Sequence, residues 1–218
     1  MNPFKVIITG ATGMVGEGVL FECLQNPAVS EILMVNRRHY DKEHPKLKEL
    51  IVPDFFDIAK HADAVKTYDA CFFCAGISSI GMKEDKFRHI TYDTTMAFAK
   101  VVSTANNNMA FTYVSGAHTD STEKGRLMWA RVKGKTENDL MKLPFKTVYN
   151  FRPGVMLPFD GQKNWKSVYR LLTKVIRFFS PKNVITMHEL GLAMINAVTK
   201  GFDKSILEIG DIKTLAKK

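Results

Sequence analysis

The chain has 218 residues, 45% of them hydrophobic, and a formal net charge of +9 divided as −1 over residues 1–109 and +10 over residues 110–218. That length supports one sizeable core; no stretch approaches the roughly 18 uninterrupted apolar residues of a membrane helix, and an odd cysteine count gives no disulfide framework. A basic half with no zinc spacing, no basic run of five and no aromatic ladder excludes the common nucleic-acid modules and leaves anionic small molecules as partners, or a merely solvated surface, as the expected meaning of the charge.

The start, Met1-Asn2-Pro3-Phe4, has neither the charged nor the apolar part of a secretory leader, so a cytoplasmic protein is expected. Val6-Ile7-Ile8 reads as a strand buried on both faces. Glycines follow at Gly10, Gly13 and Gly16, and the apolar positions Met14, Val15, Val19, Leu20, Cys23 and Leu24 then fit a helix. Strand, glycine turn and helix are the parts that hold a dinucleotide pyrophosphate: glycine lets backbone approach the phosphates, and a helix N-terminus offers free N–H groups. The candidate cradle is Gly10, Thr12, Gly13, Met14, Val15 and Gly16, with Gly-x-x-Gly-x-x-Gly spacing in place of the general Gly-x-Gly-x-x-Gly.

Glu31–Val35 reads as the second strand, ending at Asn36-Arg37-Arg38, about 20 residues past the glycines, where such a fold reads the adenosine ribose. An acidic residue there accepts from the 2′-hydroxyl of NAD, whereas Arg37 and Arg38 suit a bidentate grip on the 2′-phosphate of NADP. NADP(H) is therefore expected ahead of NAD(H). Glu49–Val52 is the third strand, and it leads to Asp54, placed to accept from the adenine amino group, and to Phe55, placed to lie along the ring; Asp57 is a competing helix cap.

Ala70–Cys74 is the fourth strand, followed by Ala75 and Gly76 beside the expected ligand. Its Cys71 and Cys74, three apart, point to opposite faces, so they neither pair nor share a metal, and no metal site is expected. A helix runs from about Glu84 to Asn107 and a fifth strand from Ala110 to Ser115. Further helix covers about 126–142, and Phe145–Phe151 is the sixth strand. Residues 165–179 make an amphipathic helix that covers a core or a cleft in preference to a membrane surface. Val184–Thr186 leads into helix 187–199 with a Thr186/Glu189 capping box, and Ser205–Ile209 is a last short strand. Strands alternating with helices predict an α/β fold: a doubly wound parallel sheet of Rossmann type over 1–218, with residues 155–218 as a small substrate, lid or interaction region inside one domain.

The order of these motifs resembles the short-chain dehydrogenase/reductase superfamily in its atypical, epimerase-like branch, and within it the Tat-interacting-protein relatives. The matching residues are Thr9–Gly16, Asn36–Arg38, Asp54, Cys74–Gly76, Tyr113–Ser115, Lys133 and Phe151–Gly154. The resemblance implies an NADP(H)-dependent oxidoreductase or nucleoside-diphosphate-sugar-epimerase-like enzyme, with Lys133 on the nicotinamide ribose and Ser115 and Lys133 as catalytic candidates. It also implies a homodimer paired through helices 84–107 and 126–142. The family's chemistry uses a Tyr-x-x-x-Lys pair, and here Trp129 stands in the tyrosine position, an indole that donates a hydrogen bond but is no acid near neutral pH. His118 and Tyr113 are the alternative proton donors. The competing reading is a catalytically silent NADPH-binding redox sensor or interaction protein. No polar constellation identifies a substrate.

Overall fold

The computed structural model describes residues 3–159, 161–162 and 183–218. The β-branched run after Pro3 forms β1 (Phe4–Thr9), and the apolar stretch after the glycine turn forms α1 (Met14–Gln25). Then come β2 (Val29–Asn36), β3 (Leu47–Ile51), a 3₁₀ turn (Phe55–His61) and the short α2 (Ala62–Val65). β4 (Ala70–Phe73) is followed by α3 (Glu84–Arg88), a π-turn (His89–Asp93) and α4 (Thr94–Ala105), so the expected 84–107 helix is continuous but widened in the middle. β5 (Ala110–Val114), α5 (Met128–Leu140) and β6 (Thr147–Phe151) complete the alternation.

Seven parallel strands stand in the order β3-β2-β1-β4-β5-β6-β9, with β9 at Ile206–Leu207. The chain enters mid-sheet, winds out to β3, then crosses back to β4, so the order reverses between β1 and β4. That switch point is where an open α/β sheet leaves a crevice beyond its strand C-termini. Thr9 pairs with Val35 on one side and Phe73 on the other. The residues after β1, β2 and β4 therefore emerge along one rim.

Alternating side chains build two cores. Val6, Ile8, Phe72 and Phe151 pack beneath α1, α6 (Met187–Lys200) and α7 (Ile209–Ala216). Ile7, Val35, Phe73 and Phe111 pack beneath α4, α5 and the 3₁₀ turn. Cys71 belongs to the second core and Cys74 packs against the first, the opposed placement that strand spacing predicts.

The last third departs from expectation in two places. β7 (Val155–Leu157) pairs with β8 (Val184–Thr186) in a separate two-stranded parallel sheet, a piece too short for periodicity to show. The expected 205–209 strand contracts to two residues because Glu208 caps α7, with Glu208 and Asp211 closing a capping box. The Thr186/Glu189 box at the head of α6 is present as predicted. The expected 165–179 helix lies outside the described residues.

Candidate functional site

The turn between β1 and α1 is shaped by backbone contact. Gly10 sits at φ +72°, and a Cβ there would lie 2.7 Å from the Ala75 backbone. At Gly16 a Cβ would lie 2.2 Å from the Gly10 carbonyl oxygen, so the first turn of α1 packs directly on the chain that precedes it. Thr9 Oγ1, fully buried, accepts from the N–H groups of Cys74 and Ala75 at 3.2 Å each and so locks the β4 exit to the turn. Gly13 is different. A Cβ there would meet only the Gly10 oxygen at 3.4 Å, an ordinary contact, so packing does not demand glycine.

Gly13 is also the N-cap of α1 and supplies no side-chain acceptor, which leaves the first-turn N–H groups of Met14, Val15 and Gly16 facing the rim. Thr12 and Gly13 are exposed, and Gly76 has open space on every side of its missing Cβ. These are the features of a backbone cradle for an anion, so the residues present fit a dinucleotide pyrophosphate.

Arg37 and Arg38 follow the last residue of β2 on the same rim, exposed, and neither makes an ion pair among the described residues. Beside them Glu49 of β3 accepts from Asn36 Nδ2 at 3.1 Å and the Tyr40 N–H at 2.9 Å, and its second oxygen lies 2.5 Å from His39 Nδ1. Tyr40 donates through its hydroxyl to Glu17 of α1 at 2.8 Å. Gln162 Nε2 donates to the Met14 carbonyl at 2.7 Å and returns the C-terminal part of the chain to the head of α1.

Asp54 lies on the rim but accepts from the Phe56 N–H as the cap of the 3₁₀ turn, the role expected of Asp57. Phe55 is placed differently from expectation. It is 4% exposed and packs on Phe73 and Phe98, because the turn after Asp54 rolls it into the second core. The ring that faces solvent is Phe56, stacked on His89 with centroids 5.4 Å apart.

At the β5–α5 corner, Lys133 donates to the Ser115 carbonyl oxygen. Burial lowers its pKa to about 8, with the Glu137 carboxylate pulling the other way. Trp129 lies one turn earlier on the same face of α5, half-buried, its indole N–H without a partner among the described residues.

The expected catalytic hydroxyl of Ser115 is turned away from the rim. Its Oγ lies 2.5 Å from Glu137 Oε1 and 3.1 Å from the Phe151 carbonyl, and the residue is 6% exposed. Glu137, fully buried, also pairs with Arg152 at 2.5 Å, and Arg152 reaches Glu208 at 3.1 Å and Ser121 Oγ at 2.5 Å. A buried carboxylate needs such partners, and the serine is recruited to satisfy it. Tyr113 is packed at 2% exposure against Phe73, and burial pushes its phenol pKa up, so it offers no proton to the rim.

His118 alone of the alternative donors faces open space. It stands exposed at φ +67° in a cleft of about 940 Å³ beyond β5 and β6, with Pro153, Val155, Glu208 and Lys213. The volume suits a small molecule. A cavity of about 490 Å³ at the opposite end of the sheet, by Phe4, Asp69 and Lys146, is remote from the strand C-termini.

Glu137, Arg152 and Glu49 were invisible as a set, because their partners come from distant strands. The one local signal was Glu137 standing one turn after Lys133.

Residues 6–124 match the NAD dependent epimerase/dehydratase family, over half of the chain. The chain belongs to that family. The family is named for its NAD dependence, in keeping with the cradle described above. Among curated proteins, rat Protein HTATIP2 is 27% identical over 159 residues, which is 72% of this chain and 64% of the rat protein, so the match spans less than two thirds of that relative. Protein fmp52, mitochondrial, of Emericella nidulans is 25% identical over 183 residues, 81% of this chain and 74% of that one.

Among solved structures, Bordetella bronchiseptica WbmF in complex with NAD+ superposes with a TM-score of 0.71 at 16% identity, covering 99% of this chain and 77% of that one. A short chain dehydrogenase from Burkholderia cenocepacia in complex with NADP gives 0.68 at 15% identity, covering 99% and 92%. Both establish the Rossmann-type fold. The relatives also correct one expectation: several fungal ones are named mitochondrial, which points away from a purely cytoplasmic location for this epimerase-family chain.

Proposed function

We propose that this chain binds NADP(H) across the C-terminal rim of its sheet and that it retains coenzyme binding without the family's tyrosine-dependent proton transfer. The pyrophosphate rests on Gly10–Gly16, the 2′-phosphate is held by Arg37 and Arg38, and the adenine lies near Asp54. The nicotinamide end lies near Ala75, Gly76 and Lys133. When bound, the coenzyme supplies hydride chemistry; the chain's own residues orient it and exclude water. The observation that carries the reading is a glycine cap not required by packing, beside two arginines with no ion-pair partner among the described residues.

Two features separate this chain from an ordinary carbonyl reductase. Trp129 carries no acidic proton in the tyrosine position, and the Ser115 hydroxyl is committed to the Glu137–Arg152 pair. Both support a binding or sensing protein of short-chain dehydrogenase type. An NADP(H)-dependent oxidoreductase or epimerase-like enzyme is the second reading, favoured by the lowered pKa of Lys133, about 8, which brings an acid into the working range. A panel of carbonyl substrates with NADPH separates the two. The wild-type chain is expected to be silent and Trp129→Tyr to gain reduction; wild-type turnover overturns the binding-only reading.

A further inference from the structure

We infer that Glu49 is a positioning residue for coenzyme selectivity, holding the Arg37–Arg38 turn in the form that receives a 2′-phosphate. The inference rests on the NADP(H) reading above and deepens it.

The turn runs from Asn36 to Tyr40, and Glu49 bonds it on both sides of the arginines. Oε1 accepts from Asn36 Nδ2 at 3.1 Å before them and from the Tyr40 N–H at 2.9 Å after them, and Oε2 meets His39 Nδ1 at 2.5 Å. One carboxylate on strand β3 therefore closes a five-residue loop whose middle is left exposed. The loop has a second tether in the Tyr40 hydroxyl on Glu17 at 2.8 Å, which ties it to the helix that presents its N-terminus to the pyrophosphate. The distance from the arginines to the cradle is thus set from two sides.

An acidic side chain beside a dinucleotide ribose usually reads as a mark of NAD. Here both oxygens of Glu49 are engaged by protein donors, so the carboxylate is not the free acceptor that a ribose hydroxyl needs. Burial alone would raise its pKa, but the bonds from Asn36, His39 and Tyr40 hold it below the usual carboxylate range and keep it anionic. Hydrogen bonds to an ionised acceptor are among the stronger ones, and a loop fixed beforehand loses less entropy when it closes on a ligand. Glu49 acts on the arginines; it does not itself touch the coenzyme.

The test is calorimetric titration of the full chain with NADPH and with NADH for wild type, Glu49→Ala and Glu49→Gln, with thermal unfolding recorded for each. Glu49→Ala is expected to weaken NADPH roughly tenfold, the value of one charge-assisted bond, while NADH affinity holds. Glu49→Gln, whose amide oxygen still accepts from Asn36 and Tyr40, is expected to fall between, and it carries the test should the alanine variant not fold. A parallel loss of both coenzymes makes Glu49 merely structural and overturns the inference; so does tighter NADPH binding, which would mean that the carboxylate repels the phosphate. A wild-type chain that binds neither coenzyme overturns the underlying reading as well. A wild-type preference for NADPH that survives both substitutions overturns this inference alone.

Discussion

Glycines that look alike in the motif do different things in the molecule. Gly16 is needed by the chain itself, because a Cβ would sit 2.2 Å from the Gly10 oxygen, whereas the site of Gly13 tolerates a methyl group. Gly16→Ala is therefore expected to lower stability by about 1–3 kcal/mol, the usual cost of overpacking. Gly13→Ala is expected to unfold at the wild-type temperature yet lose NADPH affinity, since its methyl group stands where phosphate approaches. Thermal unfolding and titration of the two variants check this, and equal losses of stability would remove the distinction.

Lys133 makes a prediction with a definite sign. With a folded-state pKa of about 8 against an ordinary value near 10.4, its burial is unfavourable while it is charged in both states. Between those two values the folded state releases the proton and the unfolded chain keeps it, so this residue makes stability rise with pH over that window. Lys133→Met should flatten the rise. Urea midpoints at about pH 7.5 and about pH 10 measure it, and parallel wild-type and variant profiles would contradict the assignment.

Among the elements, α5 concentrates the structural constraints. Gly134 lets it pass the loop after β5, where a Cβ would lie 1.8 Å from the Asp120 oxygen. One turn later Glu137 anchors Ser115, Arg152 and, through Arg152, the head of α7. Replacing Glu137 by Ala leaves Arg152 without its buried partner and is expected to cost about 3–5 kcal/mol in equilibrium unfolding. A loss under about 1 kcal/mol would show that the pair is not a structural anchor.

Most elements were legible from periodicity. β1, α1, β2 and the α6 capping box carry their own local signals: unbroken apolar runs, glycine spacing, a Thr-x-x-Glu. What escaped was set by distant partners. Ser115 reads as a catalytic hydroxyl until Glu137 of α5, paired with Arg152 just past β6, reaches it, and Phe55 reads as a ligand platform until the 3₁₀ turn rolls it inward. β7 and β8 are three residues each, too few to show a period.

At the scale of the whole molecule, the sheet order follows from where the glycine turn falls. A chain that begins in mid-sheet and reverses between β1 and β4 brings the ends of β1, β2 and β4 to one rim. The arginines, the cradle and Lys133 come from segments far apart in sequence, and the parallel topology is what sets the turns after their strands at one end of the sheet, where the proposed coenzyme would lie. The cleft of about 940 Å³ lies farther along, beyond β5 and β6, lined in part by the residues that begin α7. The glycine turn and the paired arginines thus come from the first half of the chain, whereas the cleft is lined by the second, the half that carries the excess of positive charge.

The central claim is that the rim receives NADP(H), and calorimetric titration of the full chain tests it most directly. Wild type should bind NADPH at least tenfold more tightly than NADH, and Arg37→Ala combined with Arg38→Ala should bring the two together, the loss of about 1.4 kcal/mol or more that two charge-assisted phosphate contacts supply. Equal affinities in the wild-type chain, or no heat with either coenzyme, would contradict the account.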